Sequence, residues 1–248
     1  MALVYRIADL NIEITARGAY ALKLLAPYGI KNYANIDFSV SVSDEELESA
    51  VKSAPEFPKA YHESLCVLRQ ISNKLLNDYN GFLFHSSTVA YGGKAYAFTA
   101  QSGTGKSTHT ALLKRFLGEK LRYVNDDKPF VRYFEKDGAN GEKKGTFYVY
   151  GNPWNGKHDL GENVKFPLES VCFLSRGVKN EIKKVSDPIL YMPFIMNQVV
   201  YPESGEQAEK LLSLLQIMFE KVSFYDLKCN MESDAPEASF YAMMKGND

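Results

Sequence analysis

The segment Ala100-Gln101-Ser102-Gly103-Thr104-Gly105-Lys106-Ser107 concentrates two glycines, a lysine and a hydroxyl in one short stretch. It matches the phosphate-loop pattern G-x-x-x-x-G-K-[ST], except that Ala100 stands where the first glycine would be. Such a loop turns its backbone N–H groups inward around a phosphate, which needs glycine where φ is positive or where the ligand passes close. Gly103 and Gly105 supply that freedom, and a helix starting near Lys106 would aim roughly half a positive charge at the same point. Lys106 then sets a full charge beside the β- and γ-phosphates of a nucleotide, and Ser107 offers its hydroxyl to Mg²⁺. Ser102, Gly103, Thr104, Gly105, Lys106, Ser107 and Thr108 form the candidate nucleotide-binding set.

Asp126 and Asp127 follow Lys106 by about twenty residues, at the end of a short, half-polar strand-like run, Leu121–Asn125. A carboxylate pair beside a Mg²⁺–phosphate centre has two jobs available: to hold the cation and to take the proton of an attacking hydroxyl. Neighbouring residues at a strand end point in different directions, so the tasks divide. Asp126 is read as the metal carboxylate, together with Ser107, and Asp127 as the base. The loop Gly151–Asp159 gathers the only Trp, two glycines, Lys157 and a histidine. Lys157 could neutralise charge on a transferred phosphoryl group, and Trp154 could stack on a base or cover a pocket. His85 could contact the terminal phosphate or orient an aspartate. His62 and His109 fall on helical patterns and read as structural, and Ser86-Ser87 read as ladder or turn residues.

The surrounding pattern predicts the elements that hold these groups. Val4–Ile7, Ile12–Thr15 and Phe38–Val42 are strand-like, so residues 1–42 read as β-rich. Ser43 can cap a short helix that ends near Ser53, and Pro55 and Pro58 follow. Leu65, Leu68, Ile71, Leu75 and Leu76 recur at helical spacing from Lys59 to Asp78. A hairpin turning at Gly92-Gly93 delivers the strand Ala95–Thr99 into the glycine-rich loop, and a helix runs from there to Leu117. Leu121–Val124 leads to the aspartates. A second hairpin spans 129–150, with a solvated tip at Lys136–Lys144. Ser170–Leu174 and Phe224–Leu227 are further strands, 187–221 is broken helix, and Ala235–Met244 is a terminal helix.

Composition bounds the rest. The chain has 248 residues, 29 Lys and Arg against 30 Asp and Glu, and a formal charge of −1. That balance argues against a nucleic-acid partner, whose electrostatic footprint would be basic. Three scattered cysteines give no disulfide or zinc framework. The N-terminus has no secretory pattern and no apolar run spans a membrane, so the expectation is a cytoplasmic protein. No LSGGQ signature of transport ATPases and no NKxD guanine motif occurs.

His85, a hairpin, a loop reading SGTGKS and the aspartate pair together resemble the C-terminal domain of the HPr kinase/phosphorylase family, over roughly residues 82–130. That family shares its nucleotide fold with phosphoenolpyruvate carboxykinase. The resemblance implies an α/β fold: a mixed β-sheet core with packing helices and a phosphate loop at 56–248, behind a small β-rich region at 1–55. It places His85 on the family's histidine and implies ATP and Mg²⁺ as cofactors. It also implies a kinase moving the γ-phosphate to a hydroxyl, above all Ser or Thr of a protein or peptide, with homo-oligomers as the family's habit. The family's glutamate-bearing loop is not matched, since Tyr150–Asp159 contains no glutamate. HPr itself therefore does not follow as the acceptor. A nucleotide-binding regulator without transfer and a small-molecule kinase are the alternative readings.

Overall fold

A computed structural model describes residues 2–137 and 143–245. The tip expected within Lys136–Lys144 falls largely outside the described residues.

The N-terminal layer is a three-stranded sheet. β1 (Ala2–Ile7) and β2 (Leu10–Thr15) form a tight hairpin through Ala8 and Asp9, both at positive φ. β3 (Phe38–Ser41) adds parallel to β2. A parallel neighbour needs a long crossover, and here it contains α1 (Ala19–Leu25), followed by a 3-10 turn at Ala26–Tyr28. The three strands expected within 1–42 are present, and α1 is an element the pattern did not indicate. A helix of two turns is too short for periodicity to register, and α1 buries only Ala21 and Leu25. α2 (Asp44–Ser53) is capped by Ser43, whose hydroxyl accepts from Glu46 N at 3.1 Å. α3 (Lys59–Asp78) matches its expected bounds. Leu68, Ile71 and Leu75 pack on the N-terminal layer, while Leu76 belongs to the core beneath the main sheet.

The main sheet contains β4 (Gly81–Leu83), β5 (Ser87–Tyr91), β6 (Lys94–Thr99), β7 (Arg122–Asn125), β8 (Phe130–Asp137), β9 (Lys143–Tyr150), β10 (Lys165–Arg176), β11 (Glu181–Lys184) and β12 (Ser223–Cys229). Its order is β4-β8-β9-β10-β6-β5-β7, with β12 alongside β10 and β11 outside β12. β10 joins two pairing patterns. Its first residues pair antiparallel with β9, and its later ones run parallel to both β6 and β12. The helices are α4 (Lys106–Leu117), α5 (Met192–Met196), α6 (Gly205–Lys221) and α7 (Ala235–Ser239), the last widening into a π turn at Phe240–Met244. Among the described residues no helix is long and apolar enough to cross a membrane.

One feature of this order positions the candidate residues. β5 lies antiparallel between β6 and β7. β6 and β7 therefore end at the same edge, where β5 begins. The loop after β6, the aspartates after β7 and the residues before β5 must all meet there.

α4 is anchored from behind by His109, which is buried. Its Nε2 lies 2.9 Å from Ser239 Oγ, and its Nδ1 lies 3.9 Å from Cys229 Sγ. Burial pushes the imidazole from 6.5 down to about 4. Between those values the unfolded chain binds a proton that the native state refuses. His109 thus contributes stability that is fully present above pH 6.5 and is lost as pH falls toward 4, by about 3 kcal/mol. Urea unfolding of the wild type should weaken across this window, and His109→Gln should flatten that part of the profile.

Candidate active site

The loop following β6 closes with a turn in which Thr104 N donates to Gln101 O at 3.2 Å. Gly103 and Gly105 hold φ at 77° and 123°, and a Cβ built on either meets nothing within 4 Å. The concavity is therefore open where a ligand would lie, and the glycines serve backbone conformation. Arg176 at the end of β10 donates to Gly103 O at 2.6 Å and to Thr104 O at 3.3 Å. It thereby ties the loop carbonyls to the sheet. α4 starts immediately after Gly105, so its first N–H groups face the same space.

Lys106 is buried, and its Nζ donates to Ala100 O at 3.0 Å. Burial lowers its pKa, against the pull of Asp127 and Asp126, which favour the ammonium. Asp126 is also buried. It accepts from the Ser87 hydroxyl and from Ser107. Burial raises its carboxyl above the ordinary value, with those hydrogen bonds opposing. Asp127 points elsewhere: His85 Nε2 lies 3.4 Å away, and the Lys128 ammonium pairs with the other oxygen. Burial pushes Asp127 up as well, but the His85 hydrogen bond and Lys128 outweigh it, and the net shift is downward. Two adjacent acids thus sit in environments that separate their behaviour.

A cavity of about 480 Å³ is lined by His85, Ser102, Gly103, Gly105, Lys106, Ser107, Thr108, Asp126, Asp127 and Lys157. The structure brings together the candidate catalytic, nucleotide-binding and metal residues named from the sequence, except Thr104, and leaves Trp154 outside this cavity. Thr104 lines an adjoining cavity of about 250 Å³ with Thr108, Leu112 and Cys229. The donor set suits a divalent cation with a polyphosphate. Ser107 and Asp126 offer hard oxygen ligands, and the Lys106 ammonium and loop amides offer anion donors beside them.

The loop Gly151–Asp159 is held by Asn125, which sequence reading passed over. This asparagine is fully buried. Its Oδ1 accepts from Asp127 N at 2.9 Å and Lys128 N at 2.7 Å, and its Nδ2 donates to Asn152 O and Trp154 O. One side chain therefore fixes both the aspartate turn and the second loop. Trp154, expected to stack on a base or cover a pocket, lies outside the phosphate cavity, lines a neighbouring one and serves as an anchor. It packs in the N-terminal core, and its Nε1 donates to Ser64 O at 3.1 Å. Ser87 is corrected: its hydroxyl faces Asp126 rather than serving only the strand. His85 is held by Gln198, whose Oε1 lies 3.1 Å from Nδ1. Neither Gln198 nor Arg176 carries a local motif, since both arrive through distant strand and helix connections. His158 also lines the cavity and acts electrostatically on Asp126; its place beside Lys157 was the signal available for it.

Gly151 has no room for a side chain. A Cβ there would lie 1.8 Å from Glu162 O and 2.6 Å from Val124 O. Gly151→Ala is expected to cost about 3 kcal/mol or more, by forcing two backbone segments apart. Thermal unfolding should show it as a large drop in Tm.

No protein-family model and no curated protein matches the chain. Among solved structures, it is similar to the Hpr(Ser) kinase/phosphatase from Coxiella burnetii, with 10% identity and a TM-score of 0.30, over 66% of this chain and 99% of that one. At that identity and score the likeness assigns neither a family nor an activity.

Proposed function

We propose that this chain is an ATP- and Mg²⁺-dependent phosphotransferase of the HPr-kinase-like type, moving the γ-phosphoryl group to a hydroxyl. The observation that carries the reading is a convergence at one sheet edge. The positive-φ glycine loop, Lys106 at the start of α4, and two acids with separate partners all face a single cavity.

Loop amides from Ser102 to Ser107 and the Lys106 ammonium bind the β- and γ-phosphates. Thr108 belongs to the same first turn, and the adjoining cavity beyond Thr104 gives room for the nucleoside. Ser107 and Asp126 would hold Mg²⁺, with Ser87 fixing the Asp126 carboxylate. When bound, Mg²⁺ neutralises charge building on the phosphate oxygens. Asp127 accepts the proton of the acceptor hydroxyl, whose oxygen forms the new bond to the γ-phosphorus as the bond to the bridging oxygen breaks and ADP leaves. His85 and Lys128 hold Asp127 in its ionised form and in one orientation, so His85 acts as a positioning residue here. Lys157 faces the same cavity and offsets charge on the phosphoryl group in transit.

The test is to supply γ-labelled ATP and Mg²⁺ to the purified chain with a cell extract, and to separate the products by size. Label on a macromolecule supports transfer to protein or peptide. Dialysable label assigns a small-molecule kinase. Tight nucleotide binding with no transfer assigns a regulator.

A further inference from the structure

Asp127 borders two cavities. Besides the phosphate cavity, it lines a second of about 310 Å³, with Lys128, Trp154, Lys157, Tyr20 and Tyr61. A third, of about 420 Å³, continues outward and shares Tyr20, Leu24, Pro153 and Asn155 with the second. The cavities form a trough that starts at the proposed base and ends against Lys23 and Tyr28 on the N-terminal layer. α1 and the start of α3 make one wall of it, and the Gly151–Asp159 loop makes the other.

The lining says what would lie there. Tyr20 and Tyr61 meet edge to face in the inner cavity, with centroids 6.2 Å apart. Tyr20 is 46% exposed and lines both cavities. An exposed aromatic pair inside a cleft offers a stacking surface for a large apolar side chain. Asn155 and Asn163 line the opposite wall, and asparagine, with both donor and acceptor, can pair with a peptide backbone. Lys157, at the inner end, has no ion pair among the described residues. A compact small molecule would fill the inner cavity alone. The outer cavity, continuous with the inner one through Tyr20, Leu24, Pro153 and Asn155, extends past the reach of such a molecule, but an extended chain would occupy both.

Resting on the phosphotransferase reading above, we infer that the acceptor is an extended peptide segment. It lies along this trough with its Ser or Thr hydroxyl at Asp127 and a neighbouring large apolar side chain on the Tyr20–Tyr61 pair. The N-terminal layer is then part of the acceptor site, and Tyr20 determines specificity.

The experiment uses the full chain, labelled ATP with Mg²⁺, and a degenerate peptide library with a fixed central Ser or Thr. Trp154 is the only tryptophan and lines the inner cavity, so its emission gives a second readout of occupancy. The expected result is labelled peptide enriched in Phe, Tyr, Leu or Met beside the acceptor, with a change in Trp154 emission on adding the selected peptide. Tyr20→Ser should raise the peptide KM about tenfold, the scale of one lost apolar contact. Tyr20→Phe, which keeps the ring, should stay near wild type. Nucleotide affinity, read by calorimetry, checks that each variant is folded. Labelled peptide without flanking preference, a Tyr20→Ser variant with wild-type peptide KM, or label transferred only to small hydroxyl compounds would each overturn the inference while sparing the phosphotransferase reading. Absence of any nucleotide binding by the wild type would overturn both.

Discussion

Replacing Lys106 with alanine is expected to abolish measurable ATP binding while leaving the protein folded. The ammonium is buried beside two carboxylates and is the full positive charge at the mouth of the glycine loop. Without it, a polyphosphate would face Asp126 and Asp127 with only the exposed Lys157 and the Asp127-paired Lys128 to offset them. A charge-assisted hydrogen bond lost at such a site costs about 1.5–3 kcal/mol, and the exposed repulsion adds to it. Calorimetric titration should show the affinity for ATP with Mg²⁺ falling by about a hundredfold or more. Stability should move little. Burial already works against the ammonium, and Asp127 keeps His85 and Lys128 as partners. Lys106→Met, which retains the length of the side chain, should behave in the same way. A Lys106→Ala variant that bound nucleotide as tightly as wild type would remove the loop from the site.

Asp127→Asn should have the opposite profile. The substitution keeps the shape and the Asn125-bound turn, since the Asp127 contact to Asn125 is made by the backbone N–H. It removes the negative oxygen that would take the proton. Nucleotide affinity should be retained, or rise slightly as repulsion near the terminal phosphate is relieved. Phosphoryl transfer should fall about 10²- to 10⁴-fold, the range for losing a positioned general base. The split between binding and turnover is the informative part. The ion pair with Lys128 is partly exposed, so its loss should cost stability only about 1 kcal/mol or less. Full turnover in Asp127→Asn would show that Asp127 is not the base.

What the sequence disclosed and what it concealed divide along a physical line. The glycine loop, α3 and the β5–β6 hairpin were readable because each is specified locally: by φ requirements at Gly103 and Gly105, by apolar spacing from Leu65 to Leu76, and by Gly92-Gly93. The gathering of His85, Lys106, Asp126, Asp127 and Lys157 around one cavity follows from strand order, which local pattern only suggests. Ser87 could have been anticipated only by knowing that β5 runs antiparallel between β6 and β7. Asn125 reads as an ordinary polar strand end, and its value lies in five hydrogen bonds to groups up to 29 residues away. Trp154 drew notice for its chemistry, yet its surroundings are those of a core residue, which its neighbours in sequence do not reveal. α1 was missed because two turns of helix leave too short a trace. Arg176 and Gln198 reach the site from β10 and from the segment after α5, and nothing near either residue in the chain signals that contact.

The most direct measurement is a crystal structure of the chain soaked with a non-hydrolysable ATP analogue and Mg²⁺. The expected result has the polyphosphate enclosed by the amides of residues 102–107, the metal on Ser107 and Asp126, and Asp127 turned toward the terminal phosphorus. A nucleotide bound elsewhere, or a phosphate loop left empty at saturating analogue, would contradict the central claim.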